Sequence, residues 1–270
     1  FSVFQISEQE AAEPDYVVEV CLVPALHIPE GECVYRGSGI SILKIEEDIC
    51  VRVLQEIYGD KKEYAVSFFD WKCRKITAEI LENKSNHADC MREIFKCVAW
   101  EVIMLQEQCL ILHASYLKTP YGGIAFSGPS GIGKTTQAEL WCSYREAEML
   151  NGDKAILRKK GESWIGYGSP YAGSSQCYVN KHCELKYLFF LKQGKSCSLR
   201  KMPLTEAFKE IYAGITLNRW DVQYVQMACE LVEKLAIDVP VYEFTCTPDE
   251  YAVEFLQKSL EGGEICGFNK

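Results

Sequence analysis

The stretch "GPSGIGKTTQAELW" at residues 128–141 contains the pattern G-x-x-x-x-G-K-[ST], which predicts a loop whose backbone N–H groups wrap phosphate oxygens. In such a loop the lysine neutralises the β- and γ-phosphates, and the hydroxyl after it ligates Mg²⁺. Lys134, which we expect to be an exposed loop residue, and Thr135 occupy these positions. The alternative is a glycine-rich turn between a strand and a helix, with a solvated lysine. The predicted nucleotide-binding residues are Gly128, Ser130, Gly131, Ile132, Gly133, Lys134, Thr135 and Thr136.

Phosphoryl transfer also needs a carboxylate near the loop, usually at the end of a neighbouring strand. Asp153 in "MLNGDKAIL" follows an apolar run about twenty residues after Lys134, so it is the candidate base or Mg²⁺ ligand. Its alternative is an ordinary turn residue, because "NGD" is typical of turns. His113 ends the apolar run "CLILHAS", where a lone histidine is more often a core residue than a catalyst.

The segments around the loop predict the strand before it and the helix after it that a phosphate loop requires. "CLILHASYL" and "GGIAFSG" predict buried strands, and "TTQAELWCSY" predicts a helix. Farther along, we expect strands in "AEMLNGDKAIL", "SWIGYG", "LKYLFFL" and "VYEFTC". Helices are predicted in "LTEAFKEIYAGI" and "RWDVQYVQMACELVEKLA", and a last helix from Pro248. These elements together predict an α/β fold.

The first ~90 residues differ in character, with short strands and turns and no catalytic signature. Strands are predicted in "DYVVEVCLV", "GISILKI" and "EYAVSFF". At 88–108, apolar residues at helical spacing predict one helix packed on a core. We therefore divide the chain into a β-rich N-terminal region, 1–90, and a phosphate-loop domain, 91–270.

Composition restricts the partners and the location. A net charge of -9 and a pI near 5.1 disfavour non-specific binding to nucleic acid or to an anionic membrane. The opening residues lack the pattern of a signal peptide, so we expect a cytoplasmic protein. The 14 cysteines are scattered, mostly in apolar runs, and are expected to be reduced core thiols. Cys177, His182 and Cys183 are closely spaced, but their spacing is poor for a closed zinc site.

The series "LHAS", "GPSGIGKTTQAELW", "LNGD", "GSPYAGSS" and "LKYLFFL" resembles the catalytic domain of the HPr kinase/phosphorylase family. The resemblance covers about residues 105–260, and the N-terminal region does not resemble the family's regulatory domain. It implies a phosphoenolpyruvate carboxykinase-like P-loop core, a mixed sheet with flanking helices. It further implies that Asp153 is the base toward the acceptor, that His113 is its companion, and that Gly168–Ser175 closes over the acceptor.

One departure from the family pattern concerns metal handling. The family has a pair of aspartates, and Lys154 replaces the second, so phosphorolysis is not assumed. The resemblance implies ATP and Mg²⁺ as cofactors, with Thr135 and Asp153 as the metal ligands and a hydroxyl acceptor in a protein, a peptide or a small metabolite. It leaves homo-oligomer formation open. The alternatives are a bare NTPase or carboxykinase-like phosphotransferase, and a nucleotide-binding module that holds a partner without catalysis.

Overall fold

The computed structural model describes residues 13–37, 39–46, 49–57, 62–87, 91–171, 176–177 and 179–262. Over the described residues, the chain divides into two compact units, 13–100 and 101–262. This division falls after Trp100, whereas composition places the boundary near residue 90. The assignment of one domain to 1–90 and another to 91–270 remains a prediction.

The first unit is built on a six-stranded sheet. Its order is β1-β6-β5-β4-β3-β2, with β1 parallel to β6 and the other neighbours antiparallel. β4 and β5 are the most buried strands, because their β-branched and aromatic residues lie between neighbours on both sides. The three strands predicted in this region are confirmed as β1, β3 and β5. The bounds are β1 (Val17–Val23), β2 (Glu32–Gly37), β3 (Ile40–Lys44), β4 (Ile49–Gln55), β5 (Glu63–Asp70) and β6 (Lys75–Leu81).

Short helices follow this sheet. A 3₁₀ helix covers Glu82–His87, and two α-helices follow, α1 (Met91–Cys97) and α2 (Trp100–Gln106). The prediction of one helix over 88–108 is wrong, because Ala99 has a left-handed φ of 50° that separates α1 from α2. Residues 88–90 of that prediction lie outside the described part of the chain.

Buried polar groups attach α1 to the first sheet. The hydroxyl of Tyr64 on β5 donates to Glu93 Oε2 at 2.9 Å, and Lys96 Nζ donates to Glu93 Oε1 at 2.9 Å. Arg52 on β4 donates to the carbonyl oxygen of Lys96 at 2.8 Å. Burial acts to raise the pKa of Glu93, but the hydrogen bonds from Lys96 and Tyr64 bring this pKa below its usual value. Glu93 is therefore an ionised group that joins the helix to the sheet.

The second unit is built on an eight-stranded mixed sheet. Its order is β11-β10-β7-β8-β12-β14-β13, while β9 also pairs with β7 and β11 also pairs with β12. The neighbours β8, β12 and β14 are parallel, and the other pairs are antiparallel. The bounds are β7 (Cys109–Thr119), β8 (Gly122–Ser127), β9 (Glu148–Asn151), β10 (Lys154–Lys160), β11 (Ser163–Tyr167), β12 (His182–Gln193), β13 (Ser198–Lys201) and β14 (Val241–Cys246).

In the described part of this unit, four helices accompany the second sheet: α3 (Lys134–Tyr144), α4 (Leu204–Gly214), α5 (Val222–Asp238) and α6 (Glu250–Glu261). Residues of α3 and α6 share one apolar core with β8, β12 and β14, and residues of α4 and α5 share a second core with β7, β10 and β12. Alternating residues of β12 show the reason, because Phe189 belongs to the first core and Leu188 and Phe190 belong to the second. The predicted mixed α/β class is confirmed. None of the described helices is both long and apolar enough to cross a membrane.

Candidate functional site

The glycine-rich loop joins the carboxyl end of β8 to the amino end of α3. Its glycines at 128, 131 and 133 have φ values of 135°, 79° and 110°, which residues with a side chain rarely adopt. Gly133 is the N-cap of α3, and no side chain in the described structure caps this helix. The N–H groups of the first turn are therefore available to an anion, and the positive end of the helix dipole favours one there.

The remaining predicted loop residues occupy different environments. Ser130 and Thr136 are exposed, while Ile132 is half-buried and packs against the core beneath α3. Gln193, at the end of the neighbouring strand β12, donates from its Nε2 to the carbonyl oxygen of Ile132 at 3.4 Å. The loop therefore lies at the carboxyl edge of the parallel strands, which is where ligands bind in open α/β sheets.

Lys134 is buried, which corrects the expectation of an exposed loop lysine. Its side chain folds back, and Nζ donates to the carbonyl oxygens of Gly128 and Pro129 at 3.0 Å each. Burial lowers the pKa of Lys134, the charge of Asp153 opposes that shift, and the charge of Lys154 adds to it. The ammonium group thus lies inside the loop with its positive charge in the space that the loop encloses.

The carboxylate candidate lies on a break in one long strand. β9 and β10 both run antiparallel to β7 on the same edge, with Tyr116 opposite Asn151 and His113 opposite Lys154. Between these pairs, Ala114 N–H still donates to the carbonyl oxygen of Asp153 at 3.0 Å. Gly152 and Asp153 therefore interrupt the strand without changing its register, and β7 holds the backbone on both sides of the carboxylate.

Asp153 and His113 form a direct pair. His113 Nε2 lies 3.1 Å from Asp153 Oδ1, and both side chains are partly buried. The hydrogen bond from His113 lowers the pKa of Asp153, and this effect outweighs burial, which acts to raise it. The backbone of His113 is also held, because Ser127 Oγ donates to its carbonyl oxygen at 3.0 Å. The pair can position an ionised carboxylate toward a nucleophile.

Helix α3 is joined to this carboxylate through one carbonyl group. Thr135 Oγ1 donates to the carbonyl oxygen of Gly152 at 3.4 Å, and Ser115 Oγ donates to the same oxygen at 3.0 Å. The hydroxyl of Thr135, which a phosphate loop offers to a metal, therefore lies next to Gly152, the residue before Asp153. The structure brings Lys134, Thr135, Asp153 and His113 close together, and their action as one functional site stays a prediction.

Lys154 is a further cation at the same place. It follows Asp153 directly, and its Nζ donates to Thr216 Oγ1 at 2.9 Å. Burial lowers the pKa of Lys154, and the negative charge of Asp153 opposes that shift.

Asn151 is a positioning residue that the sequence analysis missed. It is fully buried, and its Oδ1 accepts from the N–H groups of Asp153 and Lys154 at 2.9 and 2.7 Å. Its Nδ2 donates to the carbonyl oxygen of Tyr171 at 2.8 Å and to Ser169 Oγ at 3.1 Å. Asn151 therefore fixes the carboxylate break and anchors the segment after β11. The available signal was an asparagine at the end of an apolar strand, immediately before a turn.

The segment predicted to close over the acceptor, Gly168–Ser175, is described as far as Tyr171, and residues 172–175 lie outside the described part. At its start, Gly168 N–H donates to the carbonyl oxygen of Lys181 at 2.9 Å. A Cβ at Gly168 would lie 2.0 Å from the carbonyl oxygen of Val179, so glycine is needed here for close packing. Closure of this segment remains a prediction.

The described residues contain no group of three or more histidine, cysteine or acidic side chains that could hold a metal ion. The expectation that Cys177, His182 and Cys183 do not form a closed zinc site stays a prediction. A magnesium ion bound to a nucleotide needs fewer protein ligands, because phosphate oxygens and water complete its shell.

No protein-family model matches the chain, and no curated protein matches it. Among solved structures, the chain is similar to the Hpr(Ser) kinase/phosphatase from Coxiella burnetii, with 14% sequence identity and a TM-score of 0.33. That match covers 58% of this chain and 97% of the other.

Proposed function

We propose that this protein is an ATP-dependent phosphotransferase that transfers the γ-phosphoryl group to a hydroxyl. The observation that carries the proposal is that a glycine-rich loop and an oriented carboxylate lie next to each other. The glycine-rich loop containing Lys134 opens helix α3. Asp153 lies in the break between β9 and β10, pairs with His113 of β7, and is joined to α3 through the bond from Thr135 to Gly152. A loop alone would bind a nucleotide, whereas a loop beside an oriented carboxylate can also activate a nucleophile.

Each residue has a stated task in this reaction. The N–H groups of the loop and of the first turn of α3 bind the phosphate nearest the helix, and Lys134 neutralises the β- and γ-phosphates. Asp153 accepts the proton of the acceptor hydroxyl as the hydroxyl oxygen attacks the γ-phosphorus, and ADP leaves. His113 orients the carboxylate through the hydrogen bond at 3.1 Å. Positioning and charge neutralisation are the main requirements of phosphoryl transfer.

The donor set fits one magnesium ion. Thr135 Oγ1 and the Asp153 carboxylate are hard oxygen ligands of the type that Mg²⁺ prefers, and both are linked to the same residue, Gly152. When bound, Mg²⁺ supplies neutralisation of the phosphate charge. Asp153 offers two carboxylate oxygens, so its contact with His113 through Oδ1 leaves the second oxygen for a metal or for an acceptor.

Further parts of the proposal rest on the motif order. We propose a phosphoenolpyruvate carboxykinase-like P-loop core of the HPr kinase type, ATP rather than GTP, and a cytoplasmic protein. The acceptor would be a serine of a protein or peptide, or a small metabolite. A mixed sheet with helices on both faces and the loop at the carboxyl edge of β8 supports this core.

The proposal is tested by incubating the protein with Mg²⁺ and γ-labelled ATP, alone and with serine-containing peptides, proteins or hydroxylated metabolites. Transfer of label to an acceptor is the expected result. Release of labelled phosphate alone, unchanged by every acceptor, would indicate a bare NTPase. Absence of ATP binding by calorimetry would refute the nucleotide site itself.

A second candidate is a nucleotide-binding module that holds a partner without catalysis. It is favoured by strand β1 at the edge of the first sheet, where Val17, Val18, Val20 and Leu22 are 40–48% exposed. An exposed apolar edge strand is a surface on which another chain can pair. ATP binding without transfer or hydrolysis, together with recovery of a protein partner that requires β1, would favour this second candidate.

A further inference from the structure

Lys154 provides a second cation at the candidate site and has no task in the reaction described above. It is the first residue of β10 and lies opposite His113 of β7. Its hydrogen-bond partner Thr216 lies in a segment that pairs with the other edge of β7, through Thr216 N–H to the carbonyl oxygen of Ile111 at 2.9 Å. The lysine side chain therefore extends across β7 at the level of His113. A hydroxyl at its end holds the ammonium group there.

The charges of this site are unbalanced. Lys134 is buried and Lys154 is half-buried, and Asp153 is the carboxylate whose charge acts on both of them. The ammonium groups of Lys134 and Lys154 outnumber this one carboxylate. A desolvated positive charge is costly unless an anion or hydrogen-bond acceptors compensate it. An anion that binds here would complete the site.

The position of Lys154 relative to the loop indicates which anion it would bind. The loop amides and α3 bind the phosphate nearest the helix, and Lys134 bridges to the terminal one. The terminal phosphate must also face Asp153, because the acceptor that Asp153 activates attacks it. A cation adjacent to Asp153 is therefore placed beside the group in which negative charge shifts during transfer.

We infer that Lys154 binds a non-bridging oxygen of the terminal phosphate of a nucleoside triphosphate and distinguishes the triphosphate from the diphosphate. This inference rests on the proposed function. Thr216 acts as a positioning residue that orients Lys154 before the nucleotide arrives.

The inference is tested by calorimetry with two probes, the non-hydrolysable triphosphate AMP-PNP and the diphosphate ADP, each with Mg²⁺. Lys154→Met is expected to weaken AMP-PNP binding about ten-fold or more, because a charge-assisted hydrogen bond is lost, and to change ADP binding less than about three-fold. Lys154→Arg should retain most of the preference. Lys118→Met, which removes an exposed lysine from β7, is the matched control and should leave both affinities unchanged.

A measurement on the unsubstituted protein guards against a variant that fails to fold. The probe is ATP with an acyl group on a γ-phosphate oxygen: a lysine amine that contacts the terminal phosphate attacks the acyl carbonyl, an amide forms, and the acyl–oxygen bond breaks to release ATP. Mass spectrometry should find the acyl label on Lys154, and excess ATP should block it. Equal losses of AMP-PNP and ADP affinity in Lys154→Met, or no loss of either, would overturn the inference. So would the absence of label on Lys154. If the unsubstituted protein bound neither probe, the proposed function would fail with it, whereas ATP binding with an unchanged Lys154→Met would refute Lys154 alone.

Discussion

Replacing Asp153 with asparagine separates the charge of this residue from its shape. Asparagine is nearly isosteric, and its side-chain oxygen can still accept the hydrogen bond from His113 that the structure shows at 3.1 Å. The variant lacks the ability to accept the acceptor proton, and it leaves Lys134 and Lys154 without their common carboxylate. The fold should be unchanged, because Asn151 and β7 hold the backbone of this residue.

Two effects of opposite direction are expected. Loss of a general base lowers the transfer rate by about 10²–10⁴-fold. Binding of ATP without Mg²⁺ should become tighter, because a carboxylate about 6 Å from a phosphate charge repels it by about 3 kcal/mol at an effective dielectric constant of ~20. Solvent and salt reduce this repulsion to about 1 kcal/mol, which corresponds to an affinity gain of about five-fold.

The assay combines calorimetric titration with ATP in chelator and single-turnover transfer, or slow hydrolysis, of γ-labelled ATP in Mg²⁺. Glu148→Gln is the matched control, since it removes one carboxylate from β9 that is paired with Lys181 at the surface. A full transfer rate in Asp153→Asn would refute its role as base and return it to a turn residue. Weaker binding of metal-free ATP would refute the charge arrangement deduced here.

Three further predictions follow from buried polar groups. Lys134→Met should weaken ATP·Mg²⁺ binding at least about ten-fold in calorimetry, and it should also lower the melting temperature, because the lysine donates two hydrogen bonds to its own loop. Asn151→Ala should reduce the free energy of unfolding by about 1–3 kcal/mol and slow transfer about ten-fold or more, since the backbone N–H of Asp153 loses its acceptor. Glu93→Gln should destabilise the first unit by about 1–3 kcal/mol at pH 7, measured by hydrogen exchange of the β5 amides. Because the pKa of Glu93 is lowered in the fold, its ionised form contributes stability above the ordinary value of 4.5, and this contribution is lost as the pH falls through the lowered pKa.

Controls distinguish these expected effects from general destabilisation of the fold. Lys118→Met should reproduce neither effect of the Lys134 substitution. Unchanged transfer in a destabilised Asn151→Ala protein would limit Asn151 to a structural role. If the free energies of unfolding of the unsubstituted protein and of Glu93→Gln differed by the same amount at pH 3 and at pH 7, ionisation of Glu93 would not be the source of the stabilisation.

The sequence allowed prediction of those parts of the site that depend on local pattern. The loop could be located because glycines at fixed spacing, a preceding apolar strand and a following helix are all encoded in about 30 adjacent residues. The strands β7, β8, β12 and β14 are long apolar runs and were predicted for the same reason. Asp153 was identified from its place after an apolar segment, and the structure puts it against His113.

Other features depend on contacts between distant segments and could not be predicted locally. The burial of Lys134 results from two carbonyl groups that turn inward, which no periodicity reveals. The pairing of Lys154 with Thr216 joins residues 62 positions apart. The break at Ala99 depends on one left-handed residue inside an otherwise helical pattern. Alanine is not a residue type from which a left-handed conformation would be predicted.

The interrupted strand beside β7 limits the mutations that this site can accept during evolution. A loop-borne acidic residue can move when its loop gains or loses a residue, but Gly152 and Asp153 lie between Asn151, which is paired with Tyr116, and Lys154, which is paired with His113. A one-residue deletion there would shift β10 against β7 and turn Leu157, now fully buried, toward the opposite face, with Arg158 taking its place in the core. A deletion at this position would therefore disrupt the packing of β10, whereas exchange of side chains at 152–154 can change the chemistry without moving the strand. The lysine at 154 is the kind of difference that such a route can produce.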